Sequence, residues 1–269
     1  PATRLDVAMG GGRDKLLPLA AGGERRDGRD LMAAWRRDGG KRAVVVTTSA
    51  ELAALGLAAS ERLLGVFAPD NMPYAGSKTG PGAPPSLTQM TLRAIEVLKR
   101  RPHGYFLVVE GGNIDKAHHR NDPLNALQDT AELARAVGAA MAAVDMTDTL
   151  IIVTADHSHG LVISGYPPRA TPILGDVPRV GGEARAADGL AYGVLSYASG
   201  PGGGRTAGHA SDSEDRRAQA LVPMASAAHS GEDVPVYAGG PGAQFVRGVV
   251  DQTYIFQVIL RALGLGAEG

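Results

Sequence analysis

The 269 residues contain no cysteine. That excludes disulfides and thiolate metal sites, so any transition-metal site has to be built from His, Asp and Glu. Neither sign of charge dominates: 27 Lys and Arg stand against 28 Asp and Glu, a formal net charge of -1. The chain therefore lacks the electrostatic footprint of a nucleic-acid binder or of a protein that lies on an anionic membrane. No apolar run reaches the roughly 20 residues that span a bilayer, so a soluble chain is predicted. The opening "PATRLDVAMGGG" has neither the charged start nor the apolar core of a signal peptide. It reads as a strand almost at once, which leads us to expect a preceding part of the protein. Two catalytic signatures are missing as well. "MGGGRDKLL" has a glycine run and a lysine but lacks the Gly-Lys-Ser/Thr ending of a P-loop, and it reads as a turn. There is no Gly-x-Ser-x-Gly elbow for a Ser-His-Asp hydrolase.

At 44% hydrophobic, the chain can bury a sizeable core as one large domain or two small ones. Short apolar runs at Leu5 to Met9, Ala43 to Val46, Leu63 to Phe67, Tyr105 to Val109 and Leu150 to Thr154 are expected as strands. Several are nearly continuous, as in a sheet covered on both faces. Helical patterns fall between them at Leu31 to Arg37, Glu51 to Leu57, Leu87 to Lys99 and Pro123 to Val144. The last is the strongest, with Asp122 as N-cap and Pro123 as first helical residue. The alternation predicts an α/β fold with a mostly parallel central sheet covered by helices.

After His159 the texture changes. Residues 164–224 are rich in Gly, Pro and Arg and read as a small irregular insertion. Within it "AYGVLSYAS" is expected as a strand and "GPGGGRTAGHASDSEDRR" as a mobile loop. A strand in "DVPVYAGG" and a helix from about Gln252 to Leu263 then restore the α/β texture.

In open α/β sheets, sites lie beyond the carboxyl ends of the strands. Two strands here end in candidate ligands. "YFLVVEGGNIDKAHH" delivers Glu110 at a strand end, followed by two glycines that let the backbone turn. If Ile114 to His119 is helical, Asp115 and His119 are four residues apart on one face, a workable pair for one cation. His118 is three residues from Asp115, so spacing leaves it open too. "TLIIVTADHSH" repeats the arrangement with Asp156, His157 and His159. One such residue after a strand is ordinarily a cap or a turn former. Four of the seven histidines beside carboxylates in two short stretches point to a metal site, and this N/O ligand set suits zinc, manganese or magnesium. His103 and His209 read as solvated loop residues, and spacing alone would place His229 with them.

At these residues the sequence resembles the C-terminal portion of the alkaline phosphatases. "VEGGNIDKAHH" is similar to the family's Glu-Gly-x-x-Ile-Asp-x-x-x-His signature, and "VTADHSHG" to its Thr-Ala-Asp-His signature. "HSGEDVPVYAGGPGA" with "VRGVVDQTYIF" resembles its closing segment, and "MGGGRDKLLP" and "FAPDNMPY" also have counterparts. The resemblance covers nearly the whole of residues 1–269, with 164–224 corresponding to the family's crown-like subdomain.

By position, the resemblance implies that Asp115, His119 and His229 hold one zinc, that Asp156 and His157 belong to a second, and that Glu110 holds a magnesium. It implies that Lys116 helps hold phosphate through water, and it leaves His118 and His159 as outer residues behind the ligands. The implied activity is hydrolysis of phosphate monoesters through a phosphoserine intermediate, by a periplasmic or secreted homodimer. The family's nucleophilic serine, with its neighbouring aspartate ligand and phosphate-clamping arginine, has no counterpart here. "TTSA" at Thr47 to Ala50 lacks the preceding Asp and stands at the wrong place in the order. An N-terminal half of the same enzyme is therefore the expected partner. Two other readings are another member of the two-metal superfamily (a phosphodiesterase, phosphomutase or sulfatase) and a non-catalytic metal- or phosphate-binding domain.

Overall fold

The run "RLLGV" organises the first sheet. In the computed structural model, which describes residues 5–56, 62–77, 80–179, 182–183, 185–202 and 217–265, it forms the middle strand of three. Strands β1 (Val7–Gly10) and β2 (Ala43–Val46) pair in parallel with β3 (Arg62–Val66) on either side. Successive side chains of a strand point to opposite faces. Leu63 and Phe67 accordingly pack with Val46, Leu52, Met90 and Val97, whereas Leu64 and Val66 pack with Met32. A strand buried on both faces has no polar side to show, which is why its sequence is continuous rather than alternating.

Helices supply the two covers. Helix α1 (Arg13–Leu16) follows β1, and α2 (Leu31–Gly39) brings Met32 and Trp35 to one face. Helices α3 (Ser49–Ala54) and α4 (Leu87–Leu98) bring Leu52, Met90 and Val97 to the other. Asp30 caps α2 by accepting from the Ala33 amide, and Thr48–Glu51 and Ser86–Gln89 form capping boxes on α3 and α4. The glycine run after β1 makes a turn: Gly12 is left-handed, and its amide donates to the Asp70 carbonyl at 2.6 Å. A β-carbon on Gly11 would lie 2.0 Å from that same carbonyl oxygen.

Two further helices are α5 (Asn113–His119) and α6 (Pro123–Ala143). Asp122 caps α6 through the Asn125 amide and Pro123 occupies its first turn, where a missing N–H costs nothing. By packing, the chain divides into two units, Pro1–Ile114 with Leu127–Ala143, and Asp115–Ala126 with Val144–Gly269.

The second unit is built on shorter pairings. Strand β4 (Ile151–Thr154) runs antiparallel to β10 (Val236–Gly239). Strand β5 (Leu161–Ile163) pairs antiparallel with β8 (Leu195–Gly200), which pairs in parallel with β9 (Ala220–Pro223). Strands β6 (Pro178–Arg179) and β7 (Gly182–Glu183) form a small hairpin, and α7 (Tyr254–Ala262) closes the order. No helix among the described residues is long and apolar enough to cross a membrane.

The strand expected over Tyr105 to Val109 joins no ladder among the described residues. Exposure still alternates along it, with Phe106 61% and Val108 72% exposed and their neighbours half-buried. That is the two-residue period of extended chain, but a strand is completed only by a neighbour's amides and carbonyls. Most of the expected loop at 200–217 lies outside the described residues.

Glu132 on α6 ties that helix to α4. Its carboxylate is buried and accepts both the Thr88 amide (3.0 Å) and the Thr88 hydroxyl (2.9 Å), with Arg135 at 3.0 Å. Burial opposes ionisation, but these bonds outweigh it and hold the Glu132 carboxyl below its ordinary 4.5. A depressed carboxylate stabilises fully above the unfolded value, and that contribution is lost as pH falls from there through the lower folded value. Glu132→Gln is therefore expected to cost about 1 kcal/mol at neutral pH in denaturant unfolding. The difference from the parent should shrink as the pH is lowered below about 4.

Candidate metal centre

Helix α5 places Asp115 and His119 one turn apart on one face. The His119 Nε2 lies 3.5 Å from Asp115 Oδ2. The segment following β4 runs alongside residues 229–230, where the Ser230 amide donates to the Ser158 carbonyl at 2.9 Å. This brings His159 and His229 to the same carboxylate, with their Nε2 atoms 3.1 and 3.4 Å from Asp115 Oδ1. His119 Nε2 and His229 Nε2 are 3.2 Å apart. Ligand atoms of Asp115, His119, His159 and His229 all lie within 4.8 Å of one another.

A cation with ligand bonds of about 2.0–2.1 Å at tetrahedral angles sets neighbouring ligand atoms about 3.3–3.4 Å apart, and these distances cluster around that value. The hydrogen-bond inventory agrees. Asp115 Oδ1 and both ring nitrogens of His159 are buried without a hydrogen-bond partner. Nδ1 of His119 lies 2.7 Å from the Ala227 carbonyl, which can only accept, so this nitrogen carries the hydrogen and Nε2 is left with its lone pair. The residues thus fit a transition-metal cation.

Asp156 and His157 stand beside this group. His157 Nδ1 donates to the Ser158 carbonyl at 3.1 Å, and its Nε2 lies 3.3 Å from Asp156 Oδ2 and 4.0 Å from Asp115 Oδ1. Its ring stacks on His229 with centroids 3.6 Å apart. The Asp156 side chain is 88% exposed. Lys116 is exposed on α5. Glu110 belongs to the first unit, exposed, with its carboxylate beside Gly112. His103 is exposed, and His209 lies outside the described residues.

Sequence reasoning underweighted His159 and passed over Tyr197. Residues two apart in extended chain share a face, so His157 and His159 point the same way, their rings 5.9 Å apart. That period was readable in "TADHSH". His118 turns away to bond the buried Tyr197 hydroxyl through Nδ1 at 2.8 Å. Burial, then the neighbouring His159, pushes the His118 pKa down to about 4. Burial likewise lowers His159 and raises Tyr197. His159 is held in the neutral form that can bind a metal. The group is expected to take one transition-metal cation, read by zinc titration against a chromophoric chelator. His119→Ala should weaken that binding at least tenfold, whereas His103→Ala should leave it unchanged.

Comparison with known proteins bears on the same residues. The alkaline phosphatase family profile matches residues 1–265. The tissue-nonspecific alkaline phosphatase of Gallus gallus is 38% identical over 97% of this chain and 53% of its own length. The alkaline phosphatase of Gadus morhua is 36% identical over 97% of this chain and 58% of its own. Among solved structures, alkaline phosphatase from Thermus thermophilus superposes with a TM-score of 0.67 at 26% identity, covering 98% of this chain and 63% of that one. The enzyme from the Antarctic bacterium TAB5 shares the fold, with a TM-score of 0.67 at 21% identity over 97% of this chain and 61% of that one. The chain thus spans about half the length of the curated relatives it matches. With the profile running through both ligand-bearing segments and on past His229, the chain belongs to the alkaline phosphatase family.

Proposed function

We propose that these residues form the larger share of the metal-binding apparatus of a phosphomonoesterase, an alkaline phosphatase acting on phosphate monoesters. The observation that carries this reading is the convergence of Asp115 and His119 from α5 with His229 from a distant segment, at tetrahedral ligand spacing in a chain of this family. In this reading Asp115, His119 and His229 hold one zinc, Asp156 and His157 contribute to a second, and Glu110 holds a magnesium. When bound, such cations oppose the charge on the transferring phosphoryl oxygens and lower the pKa of water.

The chain's own residues have defined tasks. Asp115 presents one oxygen to His119 and the other to His159 and His229, fixing where a cation sits. The Ala227 carbonyl and the Ser226 hydroxyl hold the His119 ring by Nδ1 and keep its Nε2 lone pair inward. Lys116, exposed one residue from Asp115, is placed to attract the phosphate dianion by charge. The nucleophile is a serine supplied by an N-terminal half of the enzyme, with the assembly a homodimer in the periplasm or secreted. Residues 164–224 form its crown-like insertion.

The complete protein and the 269-residue chain, each with zinc and magnesium, are to be assayed on an aryl phosphate. Metal-dependent hydrolysis by the complete protein, with turnover and metal content both falling at least tenfold in Asp156→Ala, is the expected result. No hydrolysis by the complete protein would overturn the proposed activity. Rapid hydrolysis by the 269 residues alone would overturn the external serine.

A further inference from the structure

Strand β8 carries no residue of the candidate site, yet it fastens every segment that does. On α5, the Tyr197 hydroxyl bonds His118 Nδ1 at 2.8 Å, one residue from His119. The Ser199 hydroxyl accepts the Ala228 amide at 3.0 Å, one residue before His229. Between them, the Ala198 amide donates to the Gly160 carbonyl at 2.9 Å, one residue after His159. At the end of the strand, a β-carbon on Gly200 would lie 1.8 Å from Asn121 Oδ1, so the strand backbone sits directly against the residue that ends the α5 turn. Asn121 is wholly buried and left-handed, and its amide closes that turn on the His118 carbonyl.

Tyr197 and Ser199 are two residues apart on one strand, so their hydroxyls rise from the same face. Each grips a different ligand-bearing segment. The ligand atoms these segments carry are held 3.1 to 3.5 Å apart, with the Nε2 atoms of His119 and His229 at 3.2 Å. The contacts that β8 makes behind these segments restrain that approach. Tyr197 is only 2% exposed and spends its one polar atom on His118.

We propose that the Tyr197 and Ser199 hydroxyls are positioning groups for cation binding, setting the approach of α5 to the 226–229 segment from a strand that does not touch the ion. The inference rests on the metal site proposed above. Its consequence is that cation affinity depends on two hydroxyls whose removal leaves all the ligands in place.

The test uses Tyr197→Phe, which keeps the ring, and Ser199→Ala, singly and together, in the 269-residue chain. Zinc affinity is read by chelator competition, and ligand geometry by the visible absorption of the cobalt(II) form. Each single change should weaken zinc binding about fivefold, and the pair about tenfold or more, with the cobalt bands shifted and weakened. Ser199→Thr, which retains a hydroxyl, should restore the affinity. Variants that bind zinc within twofold of the parent and give its cobalt spectrum would overturn the proposal. So would loss of affinity that tracks a lowered melting temperature of the metal-free chain with an unshifted cobalt spectrum, or a Ser199→Thr variant as weak as Ser199→Ala. A parent chain that takes up neither zinc nor cobalt would instead remove the underlying metal site.

Discussion

One carboxylate faces more imidazoles than it can satisfy. Asp115 has ring nitrogens of His119, His159 and His229 within 3.5 Å, and that of His157 at 4.0 Å. Hydrogens would settle the contacts if each ring pointed one at the carboxylate. Two cannot, because His119 and His157 commit their Nδ1 hydrogens to carbonyls and turn lone pairs inward. These lone pairs face carboxylate oxygens, Asp115 Oδ2 at 3.5 Å and Asp156 Oδ2 at 3.3 Å, a repulsion that a bound cation relieves. Three features of the second unit keep this group together: the i, i+4 spacing on α5, the Ser158–Ser230 bridge and the grip of β8.

The fold was legible where burial is simple. A strand covered on both faces must be apolar at every position, so Arg62–Val66 and Ala43–Val46 announce themselves, and Asp122-Pro123 marks the start of α6. In the second unit the elements β4, β8, β10 and α7 were legible, but the pairing of β5, β8 and β9 was not, because it is neither local nor periodic. Leu161 meets Tyr197 and Tyr197 meets Ala220, across connections rich in glycine and proline, and the strands are three to six residues long. A run that short carries too few alternations to name its partner. Tyr105–Val109 shows the complementary limit: composition identifies an extended segment, but the ladder depends on what lies beside it.

The site divides in the same way. Asp115 and His119 could be paired from helical spacing, because four residues make one turn. His229, 110 positions beyond His119, had no local signal and entered only through resemblance to a family. His159 had a signal, the two-residue period it shares with His157, yet its weight depended on knowing that this segment runs beside residue 230. Tyr197 had none. A tyrosine in a short apolar strand reads as core, and its packing against β9 supports that reading. Only the direction of its hydroxyl separates core filler from a positioning group.

The two halves of the centre are unequal, and the inequality is physical. Asp115, His119, His159 and His229 offer four ligand atoms, all within 4.8 Å of one another. Asp156 and His157 offer two, with the Asp156 carboxylate facing solvent. Two ligands leave half of a tetrahedral shell to water, and water released into bulk is replaced at little cost, so such a pair competes poorly for an ion. Among the described residues, the group around Asp115 is therefore the one with enough ligand atoms to hold a cation by itself.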